Sequence, residues 1–170
     1  MKKLQGLIRT IPDFPKEGIL FRDITTLLED GESFKKVVDL FKSQVPSGIS
    51  KVAAIESRGF IFGGALAFAL GAGFVPIRKS GKLPWEKIRI EYDLEYGTDV
   101  LEMHRDAVKE GERVILVDDL LATGGTAKAA CSLVEKAGGR VEKVLFLIEL
   151  NELKGVSKLK NYNVFSLLRF

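Results

Sequence analysis

Two acidic residues and a turn rich in glycine and threonine follow one short apolar run, and these residues are the best suited to chemistry. The run 114–117 is rich in β-branched residues, which predicts a strand buried on both faces, as in a parallel sheet. Asp118 and Asp119 come next, then Ala122-Thr-Gly-Gly-Thr126, then a predicted helix over 127–137. A turn between a strand and a helix aims free backbone N–H groups and the positive end of the helix dipole at an anion.

The residue types in this turn indicate which anion it binds. Gly124 and Gly125 let the backbone approach a ligand closely and form a nest of N–H groups, and the threonines on either side add hydroxyl donors. Such a cup suits a terminal phosphate monoester. Asp118 and Asp119 would repel a dianion, so we expect them to face neutral hydroxyls or a bridging metal. A phosphate beside a vicinal diol is a ribose 5-phosphate; the structural alternative is a turn whose Asp and Thr only cap the strand and helix.

A second polar segment, Glu56-Ser-Arg-Gly-Phe60, follows the predicted buried strand 52–55. It stands at the carboxyl end of that strand, where ligands bind in open parallel sheets. Arg58 offers a planar fork that fits phosphate, and Gly59 permits close backbone approach. The structural alternative is that Arg58 pairs with Glu56 or caps a helix.

A third group of cations, Arg78, Lys79 and Lys82, follows the next predicted strand, 74–78. Cations at this position would stabilise negative charge on a departing polyanion. Lysines in a loop are often merely solvated, so the assignment of Lys82 is weaker than that of Arg78.

The elements around these residues alternate between strand and helix. Buried strands are expected at 52–55, 74–78, 114–117 and 141–148, with an edge strand at 163–168 and helices at 33–45, 60–70 and 127–137. This order predicts an α/β domain with a mostly parallel central sheet flanked by helices. Residues 79–99 alternate like a half-exposed hairpin, and an insertion of this length often acts as a lid; packing alone is the alternative. Residues 1–30 form an arm rich in turn residues.

Bulk properties restrict the class of protein. The chain has 170 residues, 46% hydrophobic and 29% charged, which fits one domain over residues 1–170. A net charge of +3 without a basic block does not suggest nucleic-acid binding. The single Cys131 allows no internal disulfide and fits a reducing cytoplasm, and His104 has no neighbours at zinc-ligand spacing. Residues 59–77 carry no charge, but their five glycines and Pro76 favour a helix, a turn and a strand over a membrane span.

The segment from 114 to 126 resembles the phosphoribosyl-diphosphate (PRPP) signature of the type I phosphoribosyltransferases. The resemblance implies that fold, with an N-terminal hood over residues 1–30 and a flexible hairpin lid over residues 79–99. It implies that Asp118 and Asp119 hold the ribose hydroxyls and that the 5-phosphate is bound by Ala122, Thr123, Gly124, Gly125 and Thr126. It places pyrophosphate on Ser57, Arg58, Gly59, Arg78, Lys79 and Lys82, with Mg²⁺ held mainly by substrate oxygens and no dedicated metal ligands.

Further segments extend the resemblance over nearly the whole chain and narrow it to the family members that use adenine. They are Pro12-Asp-Phe-Pro15, Gly18-Ile-Leu-Phe-Arg-Asp-Ile24, Arg78-Lys-Ser-Gly-Lys-Leu-Pro84, Leu94-Glu-Tyr-Gly97 and Glu149-Leu150. The reaction implied is adenine + PRPP → AMP + pyrophosphate in purine salvage, by a homodimer without membrane or nucleic-acid partners. By resemblance, Leu20, Phe21, Arg22 and Leu150 contact adenine, while Glu95 and Tyr96, with Arg58, act at the reacting centre.

One departure and two alternatives remain at this point. The family often has Asp where this chain has Glu56, and the bond between residues 56 and 57 is often cis in the family. A transferase for another base, such as hypoxanthine, xanthine or orotate, shares the same PRPP motif. A PRPP-sensing regulator would also keep it, but such proteins usually carry an added DNA-binding segment and a basic surface, which this sequence lacks.

Overall fold

In a computed structural model that describes residues 1–93 and 97–170, the chain forms two compact units, Met1–Leu40 and Phe41–Phe170. The first unit contains helix α1 (Lys2–Gly6), strands β1 (Arg9–Ile11) and β2 (Phe21–Asp23), helix α2 (Thr25–Glu29) and most of helix α3 (Gly31–Ser43). Strands β1 and β2 pair antiparallel, with Arg9 opposite Asp23. The predicted turn chemistry between these strands is present, because Asp13 and Gly18 have positive φ and the Gly18 N–H donates to the Asp13 carboxylate at 2.8 Å.

Helix α3 is amphipathic, as its spacing predicts. Val37 and Phe41 are fully buried, whereas Lys35 and Asp39 on the other side form an exposed i,i+4 ion pair at 2.7 Å. The helix ends at Ser43, two residues before the predicted end at 45. A difference of this size is usual at helix ends, because the last turn frays.

The second unit is built on a seven-stranded sheet. Its elements in chain order are β3 (Lys51–Ile55), α4 (Gly59–Leu70), β4 (Gly73–Lys79), β5 (Lys87–Asp93), β6 (Thr98–His104), β7 (Arg113–Leu121), α5 (Gly125–Lys136), β8 (Arg140–Glu149) and β9 (Val164–Arg169), with 3-10 turns Asn151–Leu153 and Gly155–Leu159 between the last two strands. The strand order is β5-β6-β4-β3-β7-β8-β9, and the run from β4 to β9 is parallel. The predicted α/β class and the position of β9 at the sheet edge are confirmed.

The central strand β7 is longer than predicted. Residues 114–117 are fully buried, as an apolar run between parallel neighbours requires. The strand continues through Asp118 and Asp119 to Leu121, because β8 pairs with it as far as Glu149. The acidic pair therefore lies in the strand and not in the turn, which is shorter than expected, and helix α5 begins at Gly125 instead of residue 127.

The hairpin between β4 and β7 was predicted in the right place but with too short a second strand. Strand β6 extends to His104 and pairs antiparallel with both β5 and β4, with Arg78 opposite Glu102. Ile88, Leu101 and Met103 are buried in the same apolar cluster as Ala130 of helix α5. The hairpin thus continues the sheet. Alternation alone identifies a strand but not the partner with which it pairs.

Residues 59–77 form the twelve-residue helix α4, a left-handed Gly71 that ends it, and strand β4. Within ranges 1–93 and 97–170, no helix combines the length and apolar character needed to span a membrane.

Candidate active site

A cavity of about 440 Å³ opens at the carboxyl ends of strands β3, β4 and β7, beside the β5–β6 hairpin. This is the edge at which parallel sheets bind ligands. Its lining includes most residues that the sequence singled out in the second unit: Ser57, Arg58, Lys79, Asp118, Asp119, Ala122, Thr123, Gly124 and Thr126. The strands therefore bring the three predicted segments together around one space.

The phosphate cup, residues 122–126, connects β7 to helix α5. Gly124 precedes the helix with φ +80°, and its carbonyl accepts the first helical hydrogen bond, from Lys128 N–H at 3.0 Å. No side chain caps this end of α5 among the described residues, so the first N–H groups of the helix remain available to an anion. At position 125, packing against the hairpin favours glycine. A β-carbon there would lie 3.2 Å from the backbone carbonyl oxygen of Asp93.

Asp118 and Asp119 form the floor of the cavity. Asp118 is half-buried beside the buried Asp119, and the loss of water around its carboxyl, with the charge of Asp119 adding to it, raises the pKa of Asp118 well above its ordinary value. The same burial raises the pKa of Asp119, against the opposing effect of the Arg58 guanidinium. Two adjacent carboxylates in so little water are costly unless a partner arrives, and this cost is typical of functional sites.

Arg58, the residue before helix α4, pairs with Asp119, whereas Glu56 pairs with Arg78 and Lys82. The Nη2 atom of Arg58 lies 2.8 Å from Asp119 Oδ2, without the alignment of a hydrogen bond, and among the described residues nothing hydrogen-bonds that buried oxygen. The next residue, Gly59, begins helix α4 against the strand, since a β-carbon there would lie 2.8 Å from Asp118 Oδ1. Helix α4 thus approaches the acidic pair closely enough to deliver Arg58.

Glu56 binds the cationic residues at the carboxyl end of β4 and just after it. Its buried carboxylate accepts hydrogen bonds from Arg78 Nε at 3.1 Å, from the Lys79 backbone N–H at 2.7 Å and from Lys82 Nζ at 3.1 Å. Burial alone would raise the pKa of Glu56, but these donors together lower it, so the group is ionised. The bond between Glu56 and Ser57 is cis.

Tyr92 and Asp99 are cavity residues to which the sequence assigned no role. Tyr92 on β5 stands opposite Asp99 on β6, and its hydroxyl lies 3.4 Å from both Asp99 Oδ2 and Thr126 Oγ1. Asp99 also pairs with Lys79 Nζ at 3.0 Å, and this hydrogen bond raises the pKa of Lys79. The cross-strand register of the hairpin places them opposite each other, and no sequence pattern reveals that register.

Five further predicted adenine-binding or catalytic residues come from other segments of the chain, together with Leu150. Leu150 follows β8, and its N–H donates to the carbonyl of Leu121, which lines the cavity. Leu20 is exposed, whereas Phe21 and Arg22 lie on β2, where Arg22 Nη1 donates to Thr10 Oγ1 at 2.5 Å. The predicted catalytic residues Glu95 and Tyr96 lie outside the described residues.

Four carboxylates line the cavity, and the adjacent Asp118 and Asp119 are the candidate ligands for a metal. In ranges 1–93 and 97–170, no group of three or more His, Cys, Asp or Glu side chains is placed to hold a metal ion. Mg²⁺ is commonly held by one or two carboxylates together with substrate phosphates and water. The unsatisfied Asp119 Oδ2 beside Asp118 fits that pattern of binding.

Comparison with known proteins agrees with this geometry. The model of the phosphoribosyl transferase domain family matches residues 24–168. The adenine phosphoribosyltransferase of Solibacter usitatus is 58% identical, over 100% of this chain and 99% of that protein. A crystal structure of the adenine phosphoribosyltransferase from Thermoanaerobacter pseudethanolicus is similar, with TM-score 0.96 and 51% identity over 99% of each chain. The enzyme from Saccharomyces cerevisiae, complexed with an imino-altritol bisphosphate and adenine, has TM-score 0.93 and 44% identity over 98% of this chain and 97% of that one.

Proposed function

Since the chain belongs to the phosphoribosyl transferase family, and within it to the adenine phosphoribosyltransferases, we propose a division of labour among its residues for that reaction. The protein transfers the 5-phosphoribosyl group from PRPP to adenine and gives AMP and pyrophosphate. N9 of adenine attacks ribose C1 while the C1–O bond to pyrophosphate breaks through an oxocarbenium-like state. The protein contributes positioning and charge stabilisation.

One observation carries the assignment: the acidic pair, four of the five residues of the phosphate cup, and the cations Arg58 and Lys79 line a single cavity. The phosphate cup binds the 5-phosphate through the N–H groups at the start of α5 and the hydroxyls of Thr123 and Thr126. Asp118 and Asp119 accept hydrogen bonds from the ribose hydroxyls at the far end of the same sugar. The acidic pair lies near the end of β7 and the phosphate cup leads into α5, so the two can contact the diol and the 5-phosphate of one ribose.

The acidic pair also provides for Mg²⁺. Mg²⁺ would be held mainly by oxygens of PRPP, with Asp118 and Asp119 as the carboxylates nearest to it, and it would supply positive charge to neutralise the pyrophosphate. The protein's own part is to lower the cost of ionising a buried carboxyl next to the substrate. The guanidinium of Arg58 serves this purpose, because it opposes the rise in the pKa of Asp119.

The pyrophosphate group binds to Ser57, Arg58, Gly59, Arg78, Lys79 and Lys82. The cations of this set pair with carboxylates in the structure: Arg58 with Asp119, Arg78 and Lys82 with Glu56, and Lys79 with Asp99. Substrate phosphates replace some of these carboxylates. Because the carboxylates already hold these cations in place, less conformational entropy is lost when PRPP binds.

Adenine is bound by Leu20, Phe21 and Arg22 from the arm and by Leu150 after β8. Residues 1–170 act as one catalytic domain, with the arm of residues 1–30 as a hood over the base and residues 79–99 as a lid. Glu95 handles the purine proton and Tyr96 accompanies it over the ribosyl centre. These assignments rest on the family resemblance of the segments 18–24, 94–97 and 149–150.

The active form is a homodimer, and the exposed face of helix α4 is the surface that a second copy covers. Helix α4 carries no charged side chain, and Phe68 is 91% exposed on the same face as Ile61. Gly64, one turn from Phe68, has open space where its side chain would be. Two copies related by a two-fold axis would place the ring of each Phe68 in the space beside the other Gly64, which is a self-complementary contact.

The single buried Cys131 fits a cytoplasmic location.

A panel of bases with PRPP and Mg²⁺ tests the function. Release of pyrophosphate is measured with adenine, hypoxanthine, xanthine and orotate at equal concentration. We expect adenine to be the only good substrate. Faster release with another base would overturn the adenine assignment but leave the PRPP site intact. No release with any base, together with retained PRPP binding, would favour a PRPP sensor.

A further inference from the structure

Glu102 on strand β6 is a buried carboxylate to which the reaction assigns no role. Its side chain is 1% exposed, and it stands opposite Arg78 in the β4–β6 pairing. It does not appear in the cavity lining. A buried charged group destabilises the fold unless hydrogen bonds and opposite charges compensate for the water that it has lost.

The partners of Glu102 come from the loop that carries the pyrophosphate cations. Ser80 Oγ donates to Oε1 at 3.0 Å, and the Gly81 backbone N–H donates to Oε2 at 3.1 Å. Lys87 Nζ and Arg89 Nη2 on β5 lie 3.6 and 3.9 Å from the same carboxylate. Burial would raise the pKa of Glu102, but these donors and charges outweigh it and lower the pKa. Glu102 is therefore an ionised acceptor that ties Ser80 and Gly81 to the sheet.

The segment 78–82 is thus held by two carboxylates. Glu56 lines the cavity and binds Arg78, the Lys79 N–H and Lys82, so its contacts compete with those that a bound pyrophosphate makes. Glu102 binds the residues between those cations and does not face the ligand. When an anion takes Lys79 or Lys82 from their carboxylates, Glu102 can keep its hold on the loop.

We propose that Glu102 is a positioning residue for the pyrophosphate half of PRPP: through Ser80 and Gly81 it fixes the loop on which Arg78, Lys79 and Lys82 stand. The inference rests on the proposed function, because it takes segment 78–82 as the pyrophosphate site. It predicts an effect confined to ligands that contain pyrophosphate. AMP, which occupies the phosphate cup without pyrophosphate, should not depend on Glu102.

The test compares Glu102→Gln and Ser80→Ala with the control Glu110→Gln. Glutamine at 102 keeps the shape but loses the charge and turns one acceptor into a donor, whereas alanine at the exposed Ser80 removes one loop contact without touching the core. Glu110 is an exposed carboxylate on the loop between β6 and β7, outside the cavity lining and the lid, and its change to Gln has the same chemistry. Steady-state kinetics give KM for PRPP and for adenine, and calorimetry gives Kd for pyrophosphate and for AMP.

We expect Glu102→Gln to raise KM for PRPP and Kd for pyrophosphate by about 10-fold, below the ~10²-fold that a 1 Å misplacement can cost. Ser80→Ala should also raise both, by a smaller factor, and Glu110→Gln should match the wild type. Kd for AMP and KM for adenine should stay unchanged in every variant. Equal losses for pyrophosphate and AMP, or wild-type KM for PRPP in both variants, would refute the proposal. Absence of PRPP binding by the wild-type protein would instead refute the proposed function.

Discussion

A β-carbon on Gly124 would overlap the carbonyl oxygen of Gly155. Gly155 begins the 3-10 turn Gly155–Leu159, and a β-carbon on it would in turn overlap the carbonyl oxygen of Ala122. The two glycines let the segment after β8 pack directly against the backbone of the phosphate cup. The shape of the cup is therefore set by a second segment of the chain as well as by its own residues.

Replacement of Gly124 by alanine should open the phosphate cup. Gly124→Ala is compared with Gly111→Ala, because Gly111 also has positive φ (75°) but open space around it. Both variants lose about 1–2 kcal/mol of stability from the left-handed backbone, but only Gly124→Ala must also displace Gly155. We expect AMP affinity to fall on the order of 10- to 100-fold in Gly124→Ala and to stay unchanged in Gly111→Ala, as calorimetry can measure. Equal AMP affinities would show that the packing of Gly155 does not shape the cup.

The acidic pair should be required for PRPP and dispensable for folding. Asp118→Asn combined with Asp119→Asn removes both charges at nearly constant volume. We expect PRPP affinity to fall on the order of 100-fold or more, since hydrogen bonds to charged groups contribute about 1.5–3 kcal/mol each. The exposed Asp106→Asn is the matched control and should bind PRPP normally. Intact PRPP binding by the double variant would overturn the ribose assignment.

Asp118 should destabilise the free protein at neutral pH. Its pKa in the folded state is raised by burial above the ordinary 3.8, so the folded state holds its proton more tightly than the unfolded state. The stabilisation from that proton is full below pH 3.8 and is lost as pH rises through the raised pKa. Asp118→Asn has no such loss, so its Tm relative to the wild type should rise between about pH 4 and pH 7. A Tm difference that is constant over this range would contradict the pKa assignment.

Glu95 should act on the chemical step more than on binding. Glu95→Gln keeps the size of the side chain but cannot accept the purine proton, so we expect kcat to fall on the order of 10²-fold or more. Kd for PRPP should change little. Glu91→Gln on the same hairpin is the control, and quench-flow measurement of AMP formation separates chemistry from product release. Equal kcat for wild type and Glu95→Gln would remove Glu95 from the mechanism.

Phe68→Glu should produce a monomer. A charge on the exposed apolar face of α4 would be buried without a partner in the proposed two-fold contact, which is strongly unfavourable. Light scattering coupled to size-exclusion chromatography measures the mass. Trp85→Glu changes another exposed aromatic residue, 67% accessible and outside α4, and should leave the dimer intact. A dimer that survives Phe68→Glu would place the interface elsewhere.

Much of the architecture could be predicted because local patterns decide it. The apolar runs at 52–55, 114–117 and 144–148 suit a sheet covered on both faces, and the helices between them make that sheet parallel. The motif at 118–126 combined with Glu56-Ser-Arg-Gly-Phe60 indicated the ligand class, because phosphate and diol recognition need these donors and acceptors in a fixed order. The bounds of β7 were less predictable, since pairing with β8 carried the strand through two acidic residues.

The sequence by itself determined the strands of the sheet, the turn at 122–126 that we propose as the phosphate cup, and the class of substrate, because each depends on residue types within short segments. Only the tertiary structure decided which carboxylate each cation meets: Arg58 pairs with Asp119, while Glu56 binds Arg78 and Lys82. It also placed Tyr92 between Thr126 and Asp99 and directed Glu102 into the loop at 80–81. These pairs depend on strand register and on the directions of side chains from separate elements, and no local pattern encodes either.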